Sequence, residues 1–216
     1  MATAGDPYQV DRNGSQAQNF TKSIDYSKKV LSDYPKSKYV DEAYLLWARA
    51  LLGQDDPLQT IAMLQDYRTR FTRPELRAEA GFYLALAYRN ARRNGQAVDG
   101  FDDFLAQAPK SPLVPYALLE KSRALVSLKR YAEAAQAAGR ILERFPRSEL
   151  VDRALRQRAE ASFQQGDYDR ARADFHAIGA RSQVDEDRRT RLVGTGEPGG
   201  GAHAREGERW ISGRLR

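Results

Sequence analysis

Apolar and polar residues follow one another along most of this chain with the spacing of an α-helix, and that spacing itself repeats. In the stretch 116–128, Leu118, Leu119, Leu125 and Val126 recur near three, four and seven residues, the pattern of one buried helical face. On a longer scale the same frame returns in FTKSIDYSKKVLSDYPKS, YAEAAQAAGRILERFPRS and, more loosely, NGQAVDGFDDFLAQAPKS and PLQTIAMLQDYRTRFTRP. Tyr34, Phe71, Ala108 and Phe145 each lie 37 residues from the next, and Phe20, Pro57, Asn94, Tyr131 and Tyr168 keep the same interval. Two further registers are always small: Ser23, Thr60, Ala97, Ala134 and Ala171, and Ala48, Ala85, Ser122 and Ala159. Small side chains at one fixed place on each of two helices let the pair approach closely, which is the steric requirement of a stacked helix hairpin.

The breaks agree with that frame. Turns are expected within each pair at Gln54-Asp55-Asp56-Pro57, Arg93-Asn94-Gly95 and Gln165-Gly166-Asp167. Pro35, Pro109 and Pro146 are expected to end the second helices, because proline lacks an N–H and its ring clashes with the preceding turn.

The small registers, the Gly166-Asp167-Tyr168 turn and the Phe145-Pro146 ending resemble tetratricopeptide repeats over residues 20–181. Lys121 and Arg158 depart from that pattern, standing where an apolar residue commonly precedes the small one. The resemblance implies an all-α, right-handed superhelical solenoid of antiparallel helix hairpins, with about four to five repeats of period 37. A narrower likeness lies in the joints Tyr34-Pro35-Lys36-Ser37-Lys38-Tyr39-Val40-Asp41-Glu42-Ala43 and Phe145-Pro146-Arg147-Ser148-Glu149-Leu150-Val151-Asp152-Arg153-Ala154. These are similar to BamD-like outer-membrane assembly lipoproteins and to Tol-Pal coordinator (YbgF/CpoB-like) proteins. That likeness implies periplasmic scaffolding of β-barrel insertion or of wall remodelling at division.

Three segments are expected: an irregular stretch at 1–19, the repeat domain at 20–181, and a Gly/Arg-rich disordered tail at 182–216. Phe20 to Tyr34 matches a second helix with no convincing first helix before it, since Gly5, Pro7, Asn13 and Gly14 interrupt that stretch. The reading that follows is a fragment of a longer array, with the tail as an out-of-frame translation.

Composition narrows the chemistry. A sequence with 35 Lys and Arg against 29 Asp and Glu is only mildly basic and shows no basic stripe with interleaved aromatics, so a solvated helical surface is expected and no nucleic acid. Without cysteine there is no thiolate ligand, thiol nucleophile or lipobox cysteine, and His176 and His203 are too few for a multi-histidine site. No metal or cofactor is expected. The start carries no basic segment followed by an apolar core, and no apolar run approaches the ~20 residues that span a bilayer. Membrane association is expected only through partners or an anchor missing from this sequence. Gly194-x-Gly196-x-x-Gly199 matches a dinucleotide fingerprint in letters, but Pro198 and the following glycines deny it the helix it needs. The pairs Asp55-Asp56 and Asp102-Asp103 are expected at turns or helix starts, as caps, and Asp185-Glu186-Asp187 leads into the tail. His176 reads as a surface or core-edge residue, Trp47 as core and Trp210 as part of the tail.

With no catalytic constellation present, the expected role is a non-catalytic scaffold that holds other proteins or peptide segments. An intracellular adaptor is the alternative to the envelope setting. The tetratricopeptide frame puts a protein-binding groove on the first helices, at Leu45, Arg49, Leu52, Phe82, Leu86, Arg89, Leu119, Arg123, Val126, Arg156, Glu160 and Phe163. Arg49 and Arg123 share one register and suit an acidic peptide or the carboxyl terminus of a polypeptide, unless neighbouring carboxylates such as Glu42, Glu79 and Glu120 pair with them.

Overall fold

The computed structural model describes residues 14–67 and 71–193, with side-chain detail for 19–66 and 71–182. Every regular element among these residues is a helix. In sequence order they are α1 Gly14–Asp33, α2 Val40–Gly53, α3 Pro57–Tyr67, α4 Pro74–Asn90, α5 Asn94–Gln107, α6 Val114–Ser127, α7 Tyr131–Arg144, α8 Val151–Gln165 and α9 Tyr168–Val193. The register Pro57, Asn94, Tyr131 and Tyr168 opens the second helix of each pair. Pro35, Pro109 and Pro146 lie two residues beyond the ends of α1, α5 and α7, as the sequence requires.

Each turn within a pair is built alike. Asp55, Arg92, Lys129 and Gly166 adopt left-handed backbone at φ 58°, 60°, 60° and 88°, and they too are 37 residues apart. The N–H of each following residue (Asp56, Arg93, Arg130, Asp167) reaches back to the carbonyl of Leu51, Tyr88, Leu125 or Ser162 at 2.8–2.9 Å. These are Schellman C-caps, which satisfy carbonyls that a helix end leaves open. Only the fourth turn uses glycine, so in the other three the closing hydrogen bonds hold a conformation that side chains disfavour. The turn expected at Arg93-Asn94-Gly95 therefore sits earlier, around Arg92, and Asn94 and Gly95 already belong to the first turn of α5.

Joints between pairs repeat as well. The hydroxyl oxygens of Ser37, Ser111 and Ser148 accept from the N–H of Tyr39, Leu113 and Leu150, each at 3.2 Å, just ahead of α2, α6 and α8. This accounts for the serine of the joint phrase. The joint before α4 has Pro74 in that register, and α4 begins there with proline in its first turn. Asp41, buried on α2, secures that joint by accepting from the Thr72 N–H at 3.0 Å and hydroxyl at 2.8 Å.

The protein divides into two compact units, Met1–Ala117 and Leu118–Arg216. In the first, α1 packs on α2, α2 on α3 and α4, and α4 on α3 and α5; in the second, α8 packs on both α7 and α9. The small registers mark the helix crossings: Ala48, Ala85, Ser122 and Ala159 are fully buried, as are Thr60, Ala97 and Ala134. A Cβ on Gly100 would come within 2.9 Å of the Ala85 Cβ, which shows how closely α4 and α5 approach.

Some boundaries differ from expectation. Helix α1 begins at Gly14, inside the stretch expected to be irregular, and α9 continues through Val193, past the expected end at Arg181. The register that carries Phe145-Pro146 becomes Ser182-Gln183 in α9, so nothing stops the helix there. Asp102 and Asp103 are not caps; they are exposed in the middle of α5. Asp56 does cap α3, its Oδ1 accepting from the Gln59 N–H at 3.0 Å. Trp47 is partly buried against Ile24, Ala50 and Leu51, and His176 is exposed. Residues 1–13 and 194–216, with His203, Trp210 and the glycine-rich fingerprint, lie outside the described residues. No helix among the described residues is long and apolar enough to cross a membrane.

Candidate protein-binding surface

Large apolar residues in a constant register face the core, so the first helices present a different face from the expected one. Phe82 and Leu119 are completely buried, and Leu45, Leu52 and Leu86 nearly so. None of these five offers a partner a free side chain. Phe82 instead packs its ring against Phe101 and Phe104, with centroids 5.9 and 5.3 Å away. Their register holds a large apolar residue in three of its four places, Leu45, Phe82 and Leu119, with Arg156 the exception, and such a run is itself the signature of core. One residue further on the chemistry varies, at Leu46, Tyr83, Glu120 and Gln157, and so does the burial: Leu46 is exposed, whereas Tyr83 and Glu120 are buried. A helix turns about 100° per residue, so on α2 a shift of one position, from Leu45 to Leu46, carries a side chain from the interior to the rim.

The remaining expected residues are divided between the units. On α4 in the first unit, Arg89 donates to Asn90 Oδ1 at 2.8 Å. In the second unit, Arg123 is held by Glu120 at 2.8 Å, and Arg153 approaches the same carboxylate at 3.9 Å. The anticipated pairing of Arg123 with a neighbouring carboxylate is therefore the one formed. Val126 and Phe163 are half-buried, the latter edge-on to Tyr168 at 5.3 Å, and Arg156 is exposed. Glu160 accepts from Gln164 at 3.0 Å. Like Arg156, Arg49 is exposed and its side chain makes no hydrogen bond or ion pair with any described residue. The carboxylate that might have claimed it, Glu42, is bonded to Arg73, which holds its carboxyl below the usual carboxylate range.

Arg49 stands between two concavities of the first unit. The larger, about 640 Å³, has Tyr83, Phe104 and Leu113 among its lining and the joint Pro109-Lys110-Ser111-Pro112 along one side. Lys110, a second cation whose side chain has no hydrogen bond or ion pair to any described residue, lines it too, as do Glu75 and Glu79. Glu79 accepts from the Tyr83 hydroxyl at 3.2 Å. The smaller concavity, about 450 Å³, lies between α1 and α2 and reaches Leu76 and Glu79 on α4.

The two sequence departures have a structural answer in one case. Arg158 on α8 forms a two-bond fork with Asp174 on α9, Nε to Oδ2 at 2.9 Å and Nη2 to Oδ1 at 2.6 Å. Bonding to this carboxylate raises the guanidinium pKa above its ordinary value. In the first unit the same two registers are filled by Trp47 and Met63, which pack together in one apolar cluster.

The family model for the tetratricopeptide repeat matches residues 79–111 and 116–148. These two segments, 66 of the chain's 216 residues, are similar to tetratricopeptide repeats. Each match begins on a first helix, α4 or α6, and runs through the next second helix into the following joint. No curated protein sequence matches this one. Among solved structures, MamA aligns with a TM-score of 0.66 at 19% identity, covering 83% of this chain and 97% of MamA. A tetratricopeptide repeat protein from Parabacteroides merdae aligns at 0.59 with 17% identity, covering 78% of this chain and 68% of its own. At such identity the likeness is one of fold, a solenoid of helix hairpins.

Proposed function

We propose that this protein is a non-catalytic scaffold that binds protein segments through the concave surface of its repeats. The observation that carries this reading is the 640 Å³ concavity of the first unit, apolar in its depth and bordered by Arg49 and Lys110, which no described residue pairs. Guanidinium and ammonium groups left without partners suit a carboxylate, either that of a side chain or the carboxyl terminus of a polypeptide. Glu75 and Glu79 on the same lining favour a basic or hydrogen-donating residue beside it. The prolines of the joint supply rigid apolar contact at little entropic cost.

The finer part of the proposal is a bacterial cell-envelope setting, in assembly or division, with the repeats in the periplasm. Its support is the aromatic-Pro-basic-Ser joint, which occurs twice and resembles the envelope proteins' joints. The test is photocrosslinking in intact cells, with the crosslinking residue placed at Gln107 in the concavity or at Asp102 on the exposed side of α5. A discrete adduct from position 107, absent from position 102 and lost on Arg49→Ala with Lys110→Ala, supports the scaffold reading. Equal labelling from both positions refutes it, and recovery of the adduct in the cytoplasmic fraction refutes the envelope part.

A further inference from the structure

The first pair of helices exposes residues whose register-mates in later repeats are covered. Tyr26 on α1 is 68% exposed, whereas Met63, 37 residues on, packs into the apolar cluster that α2 helps to form. Tyr39 is 57% exposed against 1% for Leu150 in the same register, and Leu46 is 44% exposed against 2% for Tyr83. In the first unit, what lies over α3 and α4 at these places is α2, the preceding first helix. No described element stands in that relation to α1 and α2. The 450 Å³ concavity occupies the vacant place, lined by Tyr26, Val30, Tyr39, Leu46 and, at its floor, Ser27. Ser27 is buried with its hydroxyl unbonded, where the following repeats carry Leu64, Phe101 and Ala138.

We propose that this concavity seats an amphipathic α-helix of a partner protein, docked on α1 and α2 as α2 is docked on α3 and α4, with acidic residues along its margins. The internal repeat fixes the shape of the occupant: a helix with an apolar face and a small residue at its crossing, matching Ala48. Its charge follows from Arg49 on the lining and from Lys22 and Lys29, one helical turn to either side of Tyr26 on α1; their side chains make no hydrogen bond or ion pair with a described residue, while Glu42 is engaged by Arg73 and Glu79 by Tyr83. The protein's own 3–16 stretch, in register with α2, has Gly5 and Pro7 within it and Asp11 where every first helix has a small uncharged residue. This seat shares only Arg49 and Glu79 with the concavity of the proposed function, so the two fail separately.

A fluorescein-labelled peptide of the protein's own α2 sequence, Val40–Gly53, serves as the probe, since it carries the apolar face, Ala48, and acidic residues Asp41 and Glu42. Its binding to the full-length protein is read by anisotropy beside a scrambled peptide of the same composition. The expected result is saturable binding by the ordered peptide alone, weakened roughly tenfold by Leu46→Asp and by Tyr26→Asp. Leu58→Asp, at a 61% exposed position on α3 outside the concavity, leaves it unchanged. Lys22→Glu with Lys29→Glu weakens it further, and added salt diminishes that difference. Both apolar positions are exposed, so unchanged helicity and melting temperature distinguish loss of binding from loss of fold. Equal binding of the scrambled peptide overturns the proposal, and so does indifference to both Leu46→Asp and Tyr26→Asp. A concentration-dependent dimer of the unmodified protein that Leu46→Asp dissociates overturns it as well, by making a second copy the occupant.

Discussion

Replacing the Arg158–Asp174 fork by the apolar solution used elsewhere in the same sequence tests how these hairpins are held. Asp174 is 4% exposed and Arg158 26%, with both carboxylate oxygens engaged. Removing one partner of a buried pair leaves the other charged and unpaired, at a cost of about 3–5 kcal/mol. Arg158→Leu strands the more buried member and falls within that range. Asp174→Ala strands a guanidinium that still reaches water, which brings the loss to about 2–3 kcal/mol. The double variant removes both charges and restores the uncharged pair of residue types that Leu84 and Gly100 supply in the same registers. Because an ion pair and a well-packed apolar pair are often of similar worth, the double variant should return to within about 1 kcal/mol of the parent or exceed it. Urea unfolding followed by far-UV circular dichroism measures this, with the m-value checked for each variant. If Asp174→Ala unfolds at the parental midpoint, or if the double variant is less stable than both singles, the fork is not the contact that holds α8 to α9.

Lys129→Gly and Arg92→Gly relieve left-handed backbone and should each raise stability by about 0.5–1 kcal/mol in the same assay, whereas Gly166→Lys should lower it similarly. Gly100→Ala drives a methyl against Ala85 and should cost about 1–3 kcal/mol, recovered in part by Ala85→Gly. Glu42 is held below its ordinary pKa of 4.5 chiefly by its hydrogen bond to Arg73, so its contribution is complete above that value and disappears as the pH falls through the lower folded-state pKa. Glu42→Gln should therefore flatten the dependence of melting temperature on pH below about 4.5, without moving the neutral-pH plateau's slope.

The repeat was legible because it rests on size. Ala48, Ala85, Ser122 and Ala159 must be small for helices to cross, and a steric rule of that kind leaves its mark at a fixed interval whatever the surrounding chemistry. The interval of Pro57, Asn94, Tyr131 and Tyr168 was equally visible, although Pro57 and Asn94 were expected within turns and in fact open α3 and α5. The left-handed turn residues were not, since Asp55, Arg92 and Lys129 are poor choices for that backbone and are held there by hydrogen bonds of the preceding helix. On the candidate surface the misreading was one of phase: helical periodicity locates an apolar stripe, but whether its edge is Leu45 or Leu46 depends on which neighbours cover it. The Arg158–Asp174 fork escaped because each member alone looks like a departure from pattern, and only their proximity makes them a substitution for Trp47 and Met63.

That fork also bears on how a protein built of near-copies avoids assembling wrongly. Similar hairpins are prone to exchange places during folding, since each can approach its neighbours' seats. An α8 laid against α5 in the place of α4 would bring a guanidinium to Gly100, which offers it no side-chain acceptor, and an α9 laid against α2 would bury a carboxylate on Trp47. The last hairpin therefore carries a lock and key of its own. Its helices recognise each other by charge where the others recognise each other by fit, and a mispaired intermediate is penalised before it can compact.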